Sequence, residues 1–176
     1  MKAKSAALNI ATIAVYTAMV IAAQVMLSAV PGVELVTVMI ASFAAAFDRR
    51  MGALVAVAFS LLRCVLFGFW PTVIILYLTY YPLLALVFSF IGKIKNKTVQ
   101  IVVAVIGAAL MTVVFTFIDN LVTPLFYGYT AKLWKAYILA SFPFMIPQMI
   151  FVALSVAALY MPLVLSFKRI KKSISL

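Results

Sequence analysis

The stretch VELVTVMIASFAAAFDRRMGALVAVAFSLLRCVLFGF, residues 33–69, determines the architecture of this chain. It contains two apolar runs, Val33 to Phe47 and Met51 to Gly68, separated by an Asp-Arg-Arg turn. A hydrocarbon core needs roughly 20 apolar residues per helix, so the second run is close to a full crossing and the first is short for one. Two apolar helices joined by a basic turn predict a membrane protein.

The composition of the whole chain supports this prediction. Of its 176 residues, 68% are hydrophobic and 10% are charged, which leaves too little polar surface to solvate a globule of this size. The first apolar stretch is longer than that of a secretory signal peptide, so the first helix is expected to remain part of the mature protein and not to be cleaved off. We predict an all-α integral membrane protein, one domain over residues 1–176 with six transmembrane helices. The predicted spans are Ala7 to Val30, Val33 to Phe47, Met51 to Gly68, Pro71 to Ile91, Thr98 to Ile118 and Tyr137 to Phe167.

Basic residues fall in four clusters between these spans. The clusters are Lys2 and Lys4; Arg49 and Arg50; Lys93, Lys95 and Lys97; and Lys168, Arg169, Lys171 and Lys172. With six spans, all four lie on one side, and the positive-inside rule predicts that this side, with both termini, is cytoplasmic. The opposite side keeps only Lys132 and Lys135. The net charge of +11 is therefore attributed to basic residues that fix the membrane topology and contact anionic lipid, and not to nucleic-acid binding.

The connections on the other side are rich in Gly, Pro and aromatic residues. They read VPGVE at 30–34, FGFWPT at 67–72, and a longer stretch from Asp119 to Lys135. Such aromatic residues either anchor helix ends at the lipid headgroups or form a binding site capped by loops. The length of the last connection favours the binding site, because unusually long connections in compact domains are often functional.

Few residues are available for chemistry. The acids are Glu34, Asp48 and Asp119, and the chain has no histidine. A histidine-ligated metal centre and a Ser-His-Asp triad are thus excluded, and a metal–phosphate site would need clustered carboxylates. No GxxxxGK[ST] motif occurs, so the chain does not hydrolyse ATP by that route. We predict no catalytic residues, no metal and no cofactor, and we expect the single cysteine, Cys64, to be a packing residue.

Two features of the predicted helices allow more than one interpretation. Arg63 lies inside the third span, where an ionisable residue is either functional or part of an ion pair, here with Glu34 or Asp119. On the first helix, small side chains recur at Ala14, Ala18 and Ala22. Small residues permit close approach of two helices in lipid, so this stripe packs either inside the protein or against a partner.

An AxxxAxxxA first helix, six spans, basic loops and the sequence of residues 33–69 together resemble the substrate-binding S components of energy-coupling-factor (ECF) vitamin transporters. The resemblance covers the whole chain in size and span count. It implies a high-affinity binding subunit that captures a vitamin on the outer side of a prokaryotic plasma membrane. Its partners would be a transmembrane coupling subunit, which meets the alanine stripe, and two ATPase subunits that consume the ATP.

If the chain has this role, the ligand is expected at polar and aromatic residues of the outer half. These are Glu34, Arg63, Trp70, Tyr77, Tyr80, Asp119, Asn120 and Tyr127. The general likeness of residues 33–69 favours cobalamin, and a modified purine base such as a queuosine precursor, or another vitamin, is the alternative. The start Lys-Ala-Lys-Ser lacks the histidines expected for a nickel or cobalt importer. A small membrane scaffold or a passive channel fits the composition as well.

Overall fold

The computed structural model describes residues 2–27 and 35–174, with side chains from 6–27 and 35–173. Within these ranges the chain forms six helices and no strand. They are α1 (Lys2–Leu27), α2 (Val36–Ala46), α3 (Arg49–Phe67), α4 (Pro71–Ile91), α5 (Lys97–Tyr127) and α6 (Ala131–Ile174). Five of them, all except α2, are long and apolar enough to cross a membrane. The predicted all-α membrane architecture is confirmed at this level.

Helix α2 is the short, central element of the bundle. Its 11 residues rise about 16 Å at 1.5 Å per residue, roughly half of a 30 Å hydrocarbon core. Because of this short length, α2 alone does not make a sixth crossing. The predicted second span began at Val33, which lies outside the described residues. Ten of its residues are buried, because α1, α3, α4 and α6 all pack against it.

Local sequence signals set the helix starts. The Asp48 carboxylate accepts a hydrogen bond from the Met51 amide at 2.8 Å and so caps α3. The Asn96 side chain caps α5 by accepting from Thr98 N at 3.0 Å. Pro71 opens α4, a position where its missing N–H would have no helical partner anyway. Side-chain caps of this kind satisfy amides that the first turn leaves open.

Three of the four basic clusters meet at one end of the bundle, which we term the basic end. The Arg49 guanidinium carbon and the Lys93 ammonium nitrogen lie 5.5 Å and 5.1 Å from the centroid of the Phe90 ring. Lys171, from the end of α6, donates hydrogen bonds to the carbonyl oxygens of Ala46 and Phe47. These carbonyls close the C-terminus of α2, where a cation is favourable. The opposite end, with the turns 68–70 and 128–130, is termed the aromatic end.

Small residues allow α2, α3 and α4 to approach closely near the basic end. A Cβ atom added to Gly52 would lie 2.7 Å from the Cβ of Ala44. One added to Gly92 would overlap the carbonyl oxygen of Ala45 and lie 2.6 Å from its Cα. There is no room for a methyl group at either position, since real Cβ contacts are longer.

The predicted loop from Asp119 to Lys135 is wrong. Helix α5 continues to Tyr127 and α6 begins at Ala131, so three residues connect them, with Gly128 in the left-handed conformation at φ +64°. A proline inside a helix leaves the carbonyl four residues earlier without its hydrogen bond. For Pro124 this is the carbonyl of Asn120, and the indole N–H of Trp134 donates to it at 2.9 Å. This bond replaces the missing one and allows α5 to continue past the proline.

Helix α6 is continuous over 44 residues, with Pro143, Pro147 and Pro162 inside it. Its second half packs into the bundle through a stripe of buried residues at nearly every fourth position. These are Val152, Val156, Tyr160, Val164 and Phe167. Between residues 131 and 151, in contrast, no side chain is buried. The first half of α6 therefore lies beside α5 at the aromatic end with open space next to it.

Candidate ligand-binding site

The aromatic-end half of the bundle contains two groups of polar and aromatic side chains, one on α3 and α4 and the other on α5 and α6. The first is built around Arg63. Its guanidinium carbon lies 4.7 Å from the Tyr77 ring centroid and 5.3 Å from that of Phe67, which are cation–π distances. Its Nε atom is buried and has no hydrogen-bond partner among the described residues.

Tyr77 connects Arg63 to a cluster of packed rings. Its centroid lies 5.1 Å from that of Tyr81 and 6.3 Å from that of Phe115 on α5. Tyr80, a predicted site residue, is 3% exposed, and its ring lies 4.9 Å from Phe115. The rings therefore fill the space between α3, α4 and α5, and Phe115 is the member that reaches the second group.

The second group joins α5 to α6 by side-chain hydrogen bonds. The Asp119 carboxylate accepts from the Tyr137 hydroxyl and the Thr123 hydroxyl, both at 2.8 Å. The Asn120 amide nitrogen donates to Ser141 Oγ at 3.0 Å, while its Oδ1 atom is buried without a partner among the described residues. Asp119 bonds to α6 and to its own helix, and among the described residues it forms no ion pair with Arg63, which was one of the two alternatives for that residue. The alternative partner, Glu34, lies outside the described residues.

A cavity of about 270 Å³ opens beside this second group. Its lining consists of Phe115, Thr116, Asp119, Tyr137, Ala140, Ser141, Phe144, Met145 and Gln148. Phe115 also contacts Tyr77, so the cavity and the Arg63 stack lie on two sides of the same rings. A second cavity, of about 410 Å³, lies against Asn120 and Trp134 and is lined mainly by apolar side chains. The arrangement can hold a small molecule that has an aromatic face and several polar groups.

A third polar residue, Gln24 near the end of α1, was not predicted as a site residue. Its Oε1 atom is buried without a partner among the described residues. The prediction also missed Tyr137, Ser141 and Gln148, which line the cavity. They lie at i, i+4 and i+11 of one helix, and therefore on one face. This polar stripe on an apolar helix is the signal that could have found them.

Other predicted site residues lie apart from the cavity. Trp70 is 60% exposed in the α3–α4 turn. Tyr127 is 51% exposed and stacks on Tyr129 with ring centroids 6.2 Å apart. Neither lines the cavity. These positions agree with the alternative that such residues anchor helix ends at the membrane interface.

The alanine stripe of α1 faces away from the bundle. Ala14, Ala18 and Ala22 are all exposed, whereas Tyr16 and Val20 form part of the buried face. Internal packing, one of the two interpretations of this stripe, is therefore contradicted.

Trp134→Phe is expected to destabilise the α5–α6 hairpin by about 1–3 kcal/mol, because the Asn120 carbonyl next to Pro124 would lose the indole donor. The measurement is thermal unfolding in detergent. The matched control is Trp70→Phe at the chain's other tryptophan, which is exposed and should leave the melting temperature unchanged. Equal melting temperatures for the two variants would show that the indole bond does not stabilise the hairpin.

Comparison with known proteins adds no relative. No protein-family model matches the chain, and neither a curated protein nor a solved structure is significantly similar to it.

Proposed function

We propose that this chain is the membrane-embedded substrate-binding subunit of an ECF-type importer in a prokaryotic plasma membrane. The aromatic end faces outward and captures a vitamin or related micronutrient, and the basic end, with both termini, lies in the cytoplasm. A transmembrane coupling subunit and two ATPases complete the importer and supply the energy. The chain itself is not an enzyme.

One observation carries this proposal. The three buried side-chain atoms without hydrogen-bond partners among the described residues belong to Gln24, Arg63 and Asn120, and each residue lies in the aromatic-end half of its helix. An unpartnered buried polar atom costs about 1–3 kcal/mol, and polar groups within a membrane tend to be functional for this reason. A bound ligand that pairs with one or more of these atoms would remove the corresponding cost.

The chemistry of these atoms indicates the kind of ligand. Arg63 Nε is a donor and needs an acceptor, such as a carboxylate or phosphate oxygen. Gln24 Oε1 and Asn120 Oδ1 are acceptors and need N–H or O–H donors. The ring of Phe115, which lines the cavity, provides an aromatic surface for a flat molecule. We therefore expect a ligand with an aromatic ring and both donor and acceptor groups.

The cavity volume bears on the choice between the expected ligands. Sites for small molecules usually measure about 300–1,000 Å³, and the cavities beside Asp119 and Asn120 hold about 270 Å³ and 410 Å³. Cobalamin, with its corrin ring and nucleotide, is larger than either cavity. Of the two, a modified purine base such as a queuosine precursor suits the volume better.

A passive channel is the less favourable alternative. A channel needs a hydrated path, but the basic-end half of the bundle is filled by side chains that are at most 1% exposed, among them Phe43, Phe88 and Tyr160. A role as a scaffold protein does not explain why buried polar atoms inside the bilayer lack hydrogen-bond partners. The binding subunit accounts for both observations.

Affinity purification from native membranes tests this proposal. The wild-type chain should bring down two ATPases and a coupling subunit, and Ala18→Trp on the exposed stripe of α1 should reduce their yield at least tenfold while a bound small molecule is retained. The control is Ala158→Trp, at an exposed alanine of α6, which should not reduce the yield. If Ala18→Trp leaves the complex intact, the stripe is not the docking surface. If the wild type brings down no ATPase, the importer role is wrong.

A further inference from the structure

At the basic end, a groove of about 340 Å³ runs between α1, α2 and α6, away from the candidate ligand site. Its lining consists of Leu8, Ala11, Thr12, Val15, Tyr16, Met19, Phe43, Phe47, Phe167 and Ile170. The groove opens on the outside of the bundle, where Ala11, Val15 and Met19 are exposed. It therefore faces lipid if the chain spans a membrane.

The floor of the groove is a stack of aromatic rings that presents only apolar surface. The Phe43 centroid lies 4.4 Å from those of both Tyr16 and Phe47, and the Phe167 ring meets Tyr16 edge-on at 5.0 Å. The Tyr16 hydroxyl donates to the Met39 carbonyl at 2.9 Å. A second polar group of the lining, the Thr12 hydroxyl, donates to the Leu8 carbonyl at 2.8 Å. With these groups already bonded, the groove suits a hydrocarbon chain.

The length of the groove matches one leaflet of a bilayer. From Leu8 to Met19, α1 advances about 16 Å at 1.5 Å per residue. This is about half of a 30 Å hydrocarbon core. An acyl chain that enters from the basic end would therefore lie along the groove for its full length.

Positive charge lies where the headgroup of such a lipid would be. Lys171 follows the groove residue Ile170 in the chain, and its ammonium nitrogen lies 5.9 Å from the centroid of the Phe47 ring. Lys168 and Arg169 follow Phe167 and are exposed. The described acid at this end, Asp48, caps α3. Basic groups at the mouth of an intramembrane groove are the arrangement that binds anionic lipid headgroups.

We propose that this groove is a specific site for an anionic glycerophospholipid, with one acyl chain on the ring stack and the phosphate beside Lys171 and Lys168. The site does not involve the ligand cavity at the aromatic end. It adds a bound lipid to the contacts that hold α1 and α6 over α2.

Native mass spectrometry of the purified chain tests the proposal, with phosphatidylglycerol and phosphatidylcholine of identical acyl chains as probes. We expect one phosphatidylglycerol per chain, retained at least tenfold more than phosphatidylcholine. Ala11→Trp, which fills the groove, should lower this retention at least tenfold, whereas Ala158→Trp on the opposite side of α6 should not. Lys168→Gln should reduce the preference for the anionic lipid to less than threefold and leave the Lys171 bonds to α2 in place.

Three results would overturn the proposal. Equal retention of the two lipids would make them ordinary boundary lipid. Unchanged retention in Ala11→Trp, with the melting temperature of the variant confirming that it folds, would place the lipid elsewhere. Loss of lipid on assembly with the coupling subunit, together with loss of that assembly in Ala11→Trp, would show that a partner helix occupies the groove.

Discussion

Gly92→Ala is expected to remove most of the folded protein, with a loss of about 3 kcal/mol or more in the free energy of unfolding. The added methyl group would overlap the carbonyl oxygen of Ala45, which belongs to the backbone of α2 and has no rotamer to adopt. Overpacking commonly costs about 1–3 kcal/mol where side chains can yield, and here a helix backbone must move. The yield and melting temperature of the purified variant measure the effect.

Gly107→Ala is the matched control for this prediction. At Gly107 a Cβ would meet the end of the flexible Ile91 side chain at 3.2 Å, and alanine favours the helix by about 1 kcal/mol over glycine. Gly92 has φ −59°, a value that alanine adopts without strain, so any loss reflects missing space and not backbone conformation. If the two variants melt at the same temperature, α2 and α4 are not in contact at Gly92.

Arg63→Gln is expected to lower the retention of the bound small molecule about 30-fold or more, equivalent to about 2 kcal/mol. A buried charged partner of a ligand typically contributes this much or more on truncation. The measurement is the amount of co-purifying small molecule per protein, quantified by mass spectrometry. The prediction rests on the stack of Arg63 on Tyr77 and on its unpartnered Nε atom.

Stability separates a binding role of Arg63 from a structural one. In the ligand-free protein, the lost cation–π contact, about 1 kcal/mol, is offset by the removal of a buried unpartnered N–H, about 1–3 kcal/mol. The melting temperature should therefore hardly change. Arg50→Gln at the basic end should retain both ligand and stability. A strongly lowered melting temperature in Arg63→Gln with ligand still bound would assign Arg63 to structure alone.

Much of the fold could be predicted because its signals are local. Asp48, Pro71 and Asn96 start helices by caps or by a fixed φ, and each acts within its own turn. The long apolar stretches between them reflect the composition that a bilayer requires. Three basic clusters, represented by Arg49, Lys93 and Lys171, then meet at one end as the alternation of spans implies.

The errors arose where a distant residue decides the local structure. Pro124 and Gly128 suggested a loop after Ile118, but the indole of Trp134 satisfies the carbonyl that Pro124 leaves open. This donor lies 14 residues away, so no local pattern shows it. The short length of α2 was expected, but its burial on nearly all sides depends on α6, at the other end of the chain.

For the candidate site, residue type was more informative than position. Arg63, Tyr77, Asp119 and Asn120 were selected as polar or aromatic residues of the outer half. Asp119 lines the cavity beside Phe115 and Asn120 lines the second cavity, whereas Arg63 and Tyr77 stack on the other side of the rings. Residues in turns, such as Trp70, were selected on the same grounds but lie outside the cavity. Residue type does not show in which direction a side chain points.

The central position of α2 has a consequence for biogenesis. Its buried face is covered by the stripe from Val152 to Phe167 of α6, which is synthesised after all the other helices of the bundle. Until α6 has been synthesised, the serine and threonine side chains of α2 lack the cover that α6 provides in the folded protein. During that time α2 packs only against helices that precede α6 in the sequence. The second helix therefore gains its final packing only after the sixth helix has been synthesised.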